Sequence, residues 1–278
     1  MTSPQDDDDT HDRGLAFDLR TIMTRRNSVV ALGLIGVAGY FGSRALSGEA
    51  NASGMAVDGT VCLADPTGMA GPFPGDGTNS KDGAVVNTLQ QTGVVRQDLR
   101  PSFNGMTPLA EGVQVDLSLT LVTVNGACAP MAGHAVYLWH CDAEGHYSLY
   151  DTTDRNYCRG VGITDADGVV TFTTVFPGCF NGRWLHIHFE VFADAAAASN
   201  GDNSLLISQF ALPGDVASAV YAAMPLYSAS IANLGKLTLA SDMIFADNTA
   251  EQLALQTLAL TGDAGGGFKA RGVIGVLV

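Results

Sequence analysis

The sequence predicts an all-β protein: an antiparallel β-sandwich with one short helix and an irregular N-terminal arm. Three observations carry that prediction. Residues 113–124, VQVDLSLTLVTV, alternate apolar and polar almost without fault, the period of a strand with one face in a core. Further strand-like runs follow at short intervals, each bounded by turn residues. Gly is frequent, at 33 of 278 residues, while Lys is rare, a balance that suits a turn-rich β fold better than a helical one.

Taken in order, residues 1–50 hold a polar prefix, MTSPQDDDDTHDR, and then paired Arg25 and Arg26 ahead of an apolar stretch that starts at Val29. At about thirteen residues that stretch is short for a membrane span. Small residues follow it, so the segment reads as an export signal of the twin-arginine kind, cleaved between about 45 and 52. The mature chain is then expected outside the cytoplasm, periplasmic or extracellular, with no stable membrane span. Residues 51–110, rich in Gly, Pro, Asp and Asn, read as an irregular arm laid over the domain. Residues 111–278 read as the sandwich. Its first strand closes at Asn125-Gly126, a hairpin signal. HAVYLWHC (134–141), VVTFTTVF (169–176), WLHIHFEVF (184–192) and SLLISQFAL (204–212) are the next strands, with a turn at DADG (165–168). A helix is expected from Pro213 to about Met224, where Val216, Val220 and Met224 recur every four residues. Strands resume at LTLASDMIF (237–245), and a last hairpin turns at GDAGGG before GVIGVLV.

The charge excludes some partners. With 28 acidic against 14 basic residues the net charge is −14, which repels nucleic acid and anionic membrane surfaces. Residues 1–47 hold six Asp against five Arg, so the acidity belongs to the remainder. The five cysteines, Cys62, Cys128, Cys141, Cys158 and Cys179, all lie beyond the signal, where one or two disulfides are expected. Their connectivity is open, and their spacing lacks the paired CxxC of a structural zinc site.

The chemistry concentrates in FPGCFNGRWLHIHFEVF, residues 176–192. On one strand His186 and His188 share a face, so two imidazoles converge and can ligate a metal through neutral ring nitrogens. His134 and His140 read as structural histidines, Trp139 and Trp184 as core, with Trp184 on the face of the His pair. Tyr150 and Tyr157 read as packed or loop tyrosines.

Four elements in order extend the pattern: WHCDAEGHYS (139–148), TDADG (164–168), PGCFNGR (177–183) and HIHF (186–189). With these the sequence resembles the intradiol ring-cleavage dioxygenases, which include the protocatechuate and catechol dioxygenases, and especially their exported single-chain relatives. The resemblance runs from about 128 to 212, with weaker echoes in GPFPGDG (71–77) and the last strands. It implies a non-haem Fe(III) in a β-sandwich, held by two tyrosinates and two histidines, and acting with O2 on an aromatic diol. By position His186 and His188 match the histidine ligands and Tyr147 the first tyrosinate. Arg183 matches an arginine that places and polarises the bound catechol, and Gln209 falls where a second polar residue of the substrate site belongs. Phe180 stands where the second tyrosinate belongs.

Phenylalanine can neither ligate nor accept a proton, and three explanations stay open. A three-ligand site of Tyr147, His186 and His188 plus waters holds the iron; Tyr150, Tyr157 or Cys179 supplies the missing group; or the fold has lost turnover and keeps a metal- or catechol-binding site. A zinc hydrolase built on the His pair plus an upstream His would need an activating carboxylate, for which Glu190 is the candidate. The acidic surface favours a neutral or alkyl-substituted catechol over an anionic one.

Overall fold

The computed structural model of the chain describes residues 53–56, 59 and 61–278. The export signal expected before residue 52 lies outside the described residues. Two sheets pack face to face. The first is antiparallel, with strands β7 (Ala135–Trp139), β8 (Arg159–Ile163), β10 (His186–Phe192) and β11 (Leu206–Ala211) in the order β11-β10-β7-β8. The second is built on β5 (Gln114–Thr123), the alternating strand of the sequence, which is flanked by β9 (Val169–Val175) and β6 (Ala129–Pro130) on one edge. On its other edge lies β13 (Gly267–Val276), which pairs with β5 in parallel and with β12 (Ala259–Asp263) in antiparallel fashion.

Period-two patterning sets the core. Val115, Leu117, Leu119 and Leu121 of β5 point inward with Phe172, Phe268 and Ile274, and meet Val136, Leu138, Ile187, Phe189, Val191 and Phe210 of the first sheet. Of the intervening residues of β5, Gln114, Asp116, Ser118 and Thr120 lie on the outer face in contact with solvent, while Val122 is covered by Cys62 and Ala64. The first sheet behaves differently: β7, β10 and β11 are buried along their whole length. Their second face is covered by residues from the segment 70–103, including Phe73, Leu89, Val94 and Phe103. That segment also contains a short hairpin, β3 (Asp76–Lys81) with β4 (Ala84–Asn87), and it follows a smaller ladder of β1 (Ser53–Met55) with β2 (Val61–Leu63).

Two fixings tie the chain just ahead of this cover to the second sheet and the loop after β5. Cys62 and Cys128 form a disulfide across 66 residues, while Cys141, Cys158 and Cys179 are buried free thiols. Asp65 bonds Gly275 of β13 through both backbone and side chain: its N–H donates to the Gly275 carbonyl at 2.9 Å, and its Oδ2 accepts from Gly275 N at 2.8 Å. Burial pushes the Asp65 carboxyl up to about 8.

Two expectations are corrected. Residues 237–245 are not a strand: they form a 3₁₀ turn, Leu239–Ser241, and then a bend around Asp242. The carboxylate of Asp242 collects the N–H groups of Ile244 and Phe245 that a neighbouring strand would otherwise have bonded. The expected helix is present as α1 (Gly214–Ala223), but it is followed by α2 (Ser228–Leu234) and α3 (Ala250–Gln256). At seven residues each, these two are too short to show a 3.6 period. A capping box of Thr249 and Gln252 opens α3. No helix among the described residues is long and apolar enough to cross a membrane.

Candidate metal centre

The site lies on the covered face of the first sheet. Alternation along β10 sends Ile187 and Phe189 into the core and His186 and His188 to the opposite face. Their Nε2 atoms are 2.9 Å apart. In the register of the sheet His188 faces Trp139 on β7 and Gln209 on β11. The Trp139 indole stacks flat on the His188 ring, with centroids 4.7 Å apart at 5°. The His186 Nδ1–H donates to the Trp184 carbonyl, which leaves the Nε2 lone pair directed at the site.

Tyr147 arrives from the turn after β7. Asp142 Oδ1 accepts from Glu144 N and His146 N, and Gly145 takes φ 91°, so the chain reverses tightly. A side chain at Gly145 would meet the Cys179 carbonyl at 3.1 Å. The turn delivers the Tyr147 hydroxyl to 3.2 Å from His186 Nε2. All three side chains are buried. Burial first, and then the nearby Arg183 cation, lowers His186 to about 3. Burial, His186 and Arg183 together hold His188 well below the usual imidazole range. Both rings are therefore neutral, the form that ligates a metal.

This donor set fits a first-row metal. With bonds of about 2.0–2.1 Å, nitrogens 2.9 Å apart subtend about 90° at a common ion. A phenol oxygen beside two imidazoles gives a mixed O/N set, and an anionic phenolate suits a hard cation such as Fe(III).

Around the donors, Arg183 Nη2 donates to Gln209 Oε1 at 2.7 Å, and Gln209 Nε2 donates to the Met69 carbonyl at 3.1 Å. The five residues singled out in the sequence, Tyr147, Arg183, His186, His188 and Gln209, are thus brought together. Phe180 faces the same place: its ring stands edge-on to Tyr147 at 5.6 Å and to Phe73 at 5.5 Å. Phe73 in turn lies 4.9 Å from Tyr147. Gly71 passes over His188, where a Cβ would come within 3.4 Å of the ring.

The other candidates are engaged elsewhere. Tyr150 accepts from Gly75 N and donates to Asn79 Oδ1; Tyr157 donates to Asp142 Oδ2; the Cys179 thiol donates to the Arg183 carbonyl. His140 donates to the Cys141 carbonyl and accepts from Thr174, a satisfied core histidine that burial lowers to about 4. Trp184 donates to the Leu212 carbonyl and packs against α1 at Gly214. Asp142, Glu144 and His146 also bring ligand atoms within 4.8 Å of one another, but Asp142 spends its oxygens on the turn and on Tyr157.

Sequence reasoning missed three contributors. Phe73 was signalled only by GPFPGDG. Asp242, which holds Arg183, sits in the stretch read as a strand. Arg159 is fully buried, and its guanidinium donates to the Pro74 and Ser148 carbonyls, to Ser148 Oγ and to Tyr137 Oη, all neutral acceptors. It ties the covering segment to the turn that carries Tyr147.

A sandwich bearing this tyrosine and histidine set is the architecture of a ring-cleaving dioxygenase, and a family model described as Dioxygenase matches residues 90–234, more than half of the chain. The chain belongs to the intradiol ring-cleavage dioxygenase family. It is 33% identical over 154 residues to catechol 1,2-dioxygenase 1 of Acinetobacter lwoffii, a match covering 47% of this chain and 44% of that relative. The chain thus spans less than half the length of this curated relative. An intradiol ring-cleavage dioxygenase from Tetranychus urticae shares the fold, with a TM-score of 0.58 at 20% identity over 78% of this chain and 95% of that one. The dioxygenase domain of a carbohydrate-binding fusion from Streptomyces sp. SirexAA-E aligns with a TM-score of 0.46 at 21% identity, over 77% and 99% of the two chains.

Proposed function

We propose that this chain cleaves a catechol-type ring between its two hydroxyl-bearing carbons, with O2 as co-substrate and Fe(III) held by Tyr147, His186 and His188. The observation that supports this most is the meeting of the Tyr147 hydroxyl and two neutral imidazole nitrogens at 2.9–3.2 Å in a buried place. Bound Fe(III) would supply Lewis acidity toward a chelated diol and electronic access to O2. Tyr147 would contribute the one anionic protein donor, and the Trp184 carbonyl would hold the His186 tautomer. Arg183, fixed against Gln209, would stabilise negative charge that develops on the substrate oxygens. Phe73 and Phe180 would pack against the ring and keep water from it. Because Phe180 carries no base, the diol protons would leave to solvent. With apolar walls and an acidic protein, the substrate class is an uncharged catechol, such as an alkyl-substituted one.

The second reading is a non-catalytic module that binds metal or catechols, and Phe180 in place of a tyrosinate is the observation that favours it. One experiment separates the two. Purified protein is loaded with ferric iron and given 4-methylcatechol while O2 uptake and the ring-opened dicarboxylate are followed, with Tyr147→Phe and His188→Ala as controls. Iron at one equivalent with turnover, both lost in His188→Ala, supports the oxygenase. Iron and catechol bound without O2 uptake leaves the binding module; failure to hold iron overturns the oxygenase, and failure to bind catechol as well overturns both. We also propose export through the segment around Arg25 and Arg26.

A further inference from the structure

We infer that Asp242 is a positioning residue for the ring-cleavage step, acting by fixing the direction in which Arg183 presents its charge. The inference rests on the oxygenase reading above. Asp242 is fully buried and lies 59 residues from Arg183 in the chain. Its Oδ2 accepts from Arg183 Nε at 2.9 Å and from Trp184 N at 2.7 Å. Its Oδ1 accepts from Arg183 Nη2 at 3.2 Å and from Ile244 N at 2.9 Å. Asp242 is therefore held by the backbone of its own bend, and it grips the guanidinium along one edge through two parallel bonds.

The arithmetic of donors gives the consequence. A guanidinium has five N–H groups in a rigid plane. Nε has one, given to Asp242; Nη2 has two, one given to Asp242 and one to Gln209 Oε1 at 2.7 Å. The two on Nη1 have no partner among the described residues and remain for a ligand, and the plane cannot turn to offer any others. A residue that merely supplied positive charge would need no such grip. Electrostatic stabilisation of a developing anion depends on donors already aimed at it, so Asp242 sets the aim and Arg183 makes the contact.

A double-mutant cycle tests this. Asp242→Asn keeps the shape, removes the charge and places an amide where two acceptor oxygens stood. In iron-loaded protein, kcat with 4-methylcatechol should fall by about 10- to 100-fold, the scale of a misdirected catalytic group. KM should move by less than about threefold, and the iron content and the Tyr147-to-iron absorption should stay. In an Arg183→Met background the same substitution should have no further effect. A kcat within about twofold of the parent, an equal loss in both backgrounds, or loss of bound iron would each overturn the inference. If Asp242→Asn is not recovered folded, Asp242→Glu, which keeps the charge and displaces it by one methylene, is read in the same way. An inactive parent would count against the oxygenase reading itself. It would overturn this inference along with that reading, since a step that does not occur has no positioning residue.

Discussion

Replacing Asp65 by Asn should abolish a pH dependence that the parent protein carries. Asp65 is buried, its Oδ2 accepts from Gly275 N, and its Oδ1 has no hydrogen-bond partner among the described residues. Burial raises its carboxyl to about 8, against about 3.9 in an unfolded chain. Between these values the folded protein holds a proton that the unfolded chain has released, so unfolding liberates it. Stability must then fall as pH rises, by about 1.4 kcal/mol per pH unit. The contribution is fully present below about pH 4 and gone above about pH 8. Asn imitates the neutral acid at every pH: its oxygen can accept from Gly275 N, and it has no charge to bury. The stability of Asp65→Asn minus that of the parent should therefore grow by about 2.6 kcal/mol from pH 5 to pH 7. Urea unfolding of both proteins at pH 5, 6 and 7 measures it, and the other titrating groups cancel in the difference. A difference constant to within about 0.5 kcal/mol over that range would show that Asp65 ionises in the fold at its ordinary pH, and would refute the reasoning.

Phe180→Tyr should add a second tyrosinate and deepen the visible absorption of the ferric protein, since the Phe180 ring already stands against Tyr147 and Phe73. Iron titration followed by absorbance reads this, and an unchanged spectrum would mean that the added hydroxyl does not reach the metal. Arg159→Met should cost at least about 2 kcal/mol in urea unfolding, because the Pro74 and Ser148 carbonyls lose their donors. It should also weaken iron binding, since Ser148 adjoins Tyr147. Replacing Arg25 and Arg26 together by Lys should leave unprocessed precursor in the cytoplasm, detected by fractionation and mass.

The parts that were legible in sequence are those where one local period or one short motif carries the information. β5 alternates because one face meets the core and the other meets water, and its pattern needs no partner to be read. His186 and His188 share a face for the same reason. The covering segment buries the second face of the first sheet, so β7, AVYLW, has no polar half to alternate, while in β10 the polar half survives as His186, His188 and Glu190, all of them buried. β8, RGVGI, was missed since two glycines leave it little strand propensity; Gly162 is required where Phe172 and Val170 would crowd any Cβ. The pairing of Asp242 with Arg183 was out of reach because it joins residues from two bends, and neither bend has a period.

The parallel seam between β5 and β13 bears on how the protein reaches its fold. Val115 pairs with Phe268 and Thr123 with Val276, so the two strands of the seam are separated by about 150 residues of chain. The opposite edge of β5 is closed much sooner, by β9. During synthesis or refolding β5 consequently spends an interval as a long, strongly alternating strand with one open edge. Such an edge is a template for any other chain in the same condition. Loop closure over that distance is slow relative to local hairpins, so recovery of native protein from denaturant becomes a race between one intramolecular encounter and many intermolecular ones. The yield then depends on protein concentration even though the finished molecule has its seam closed.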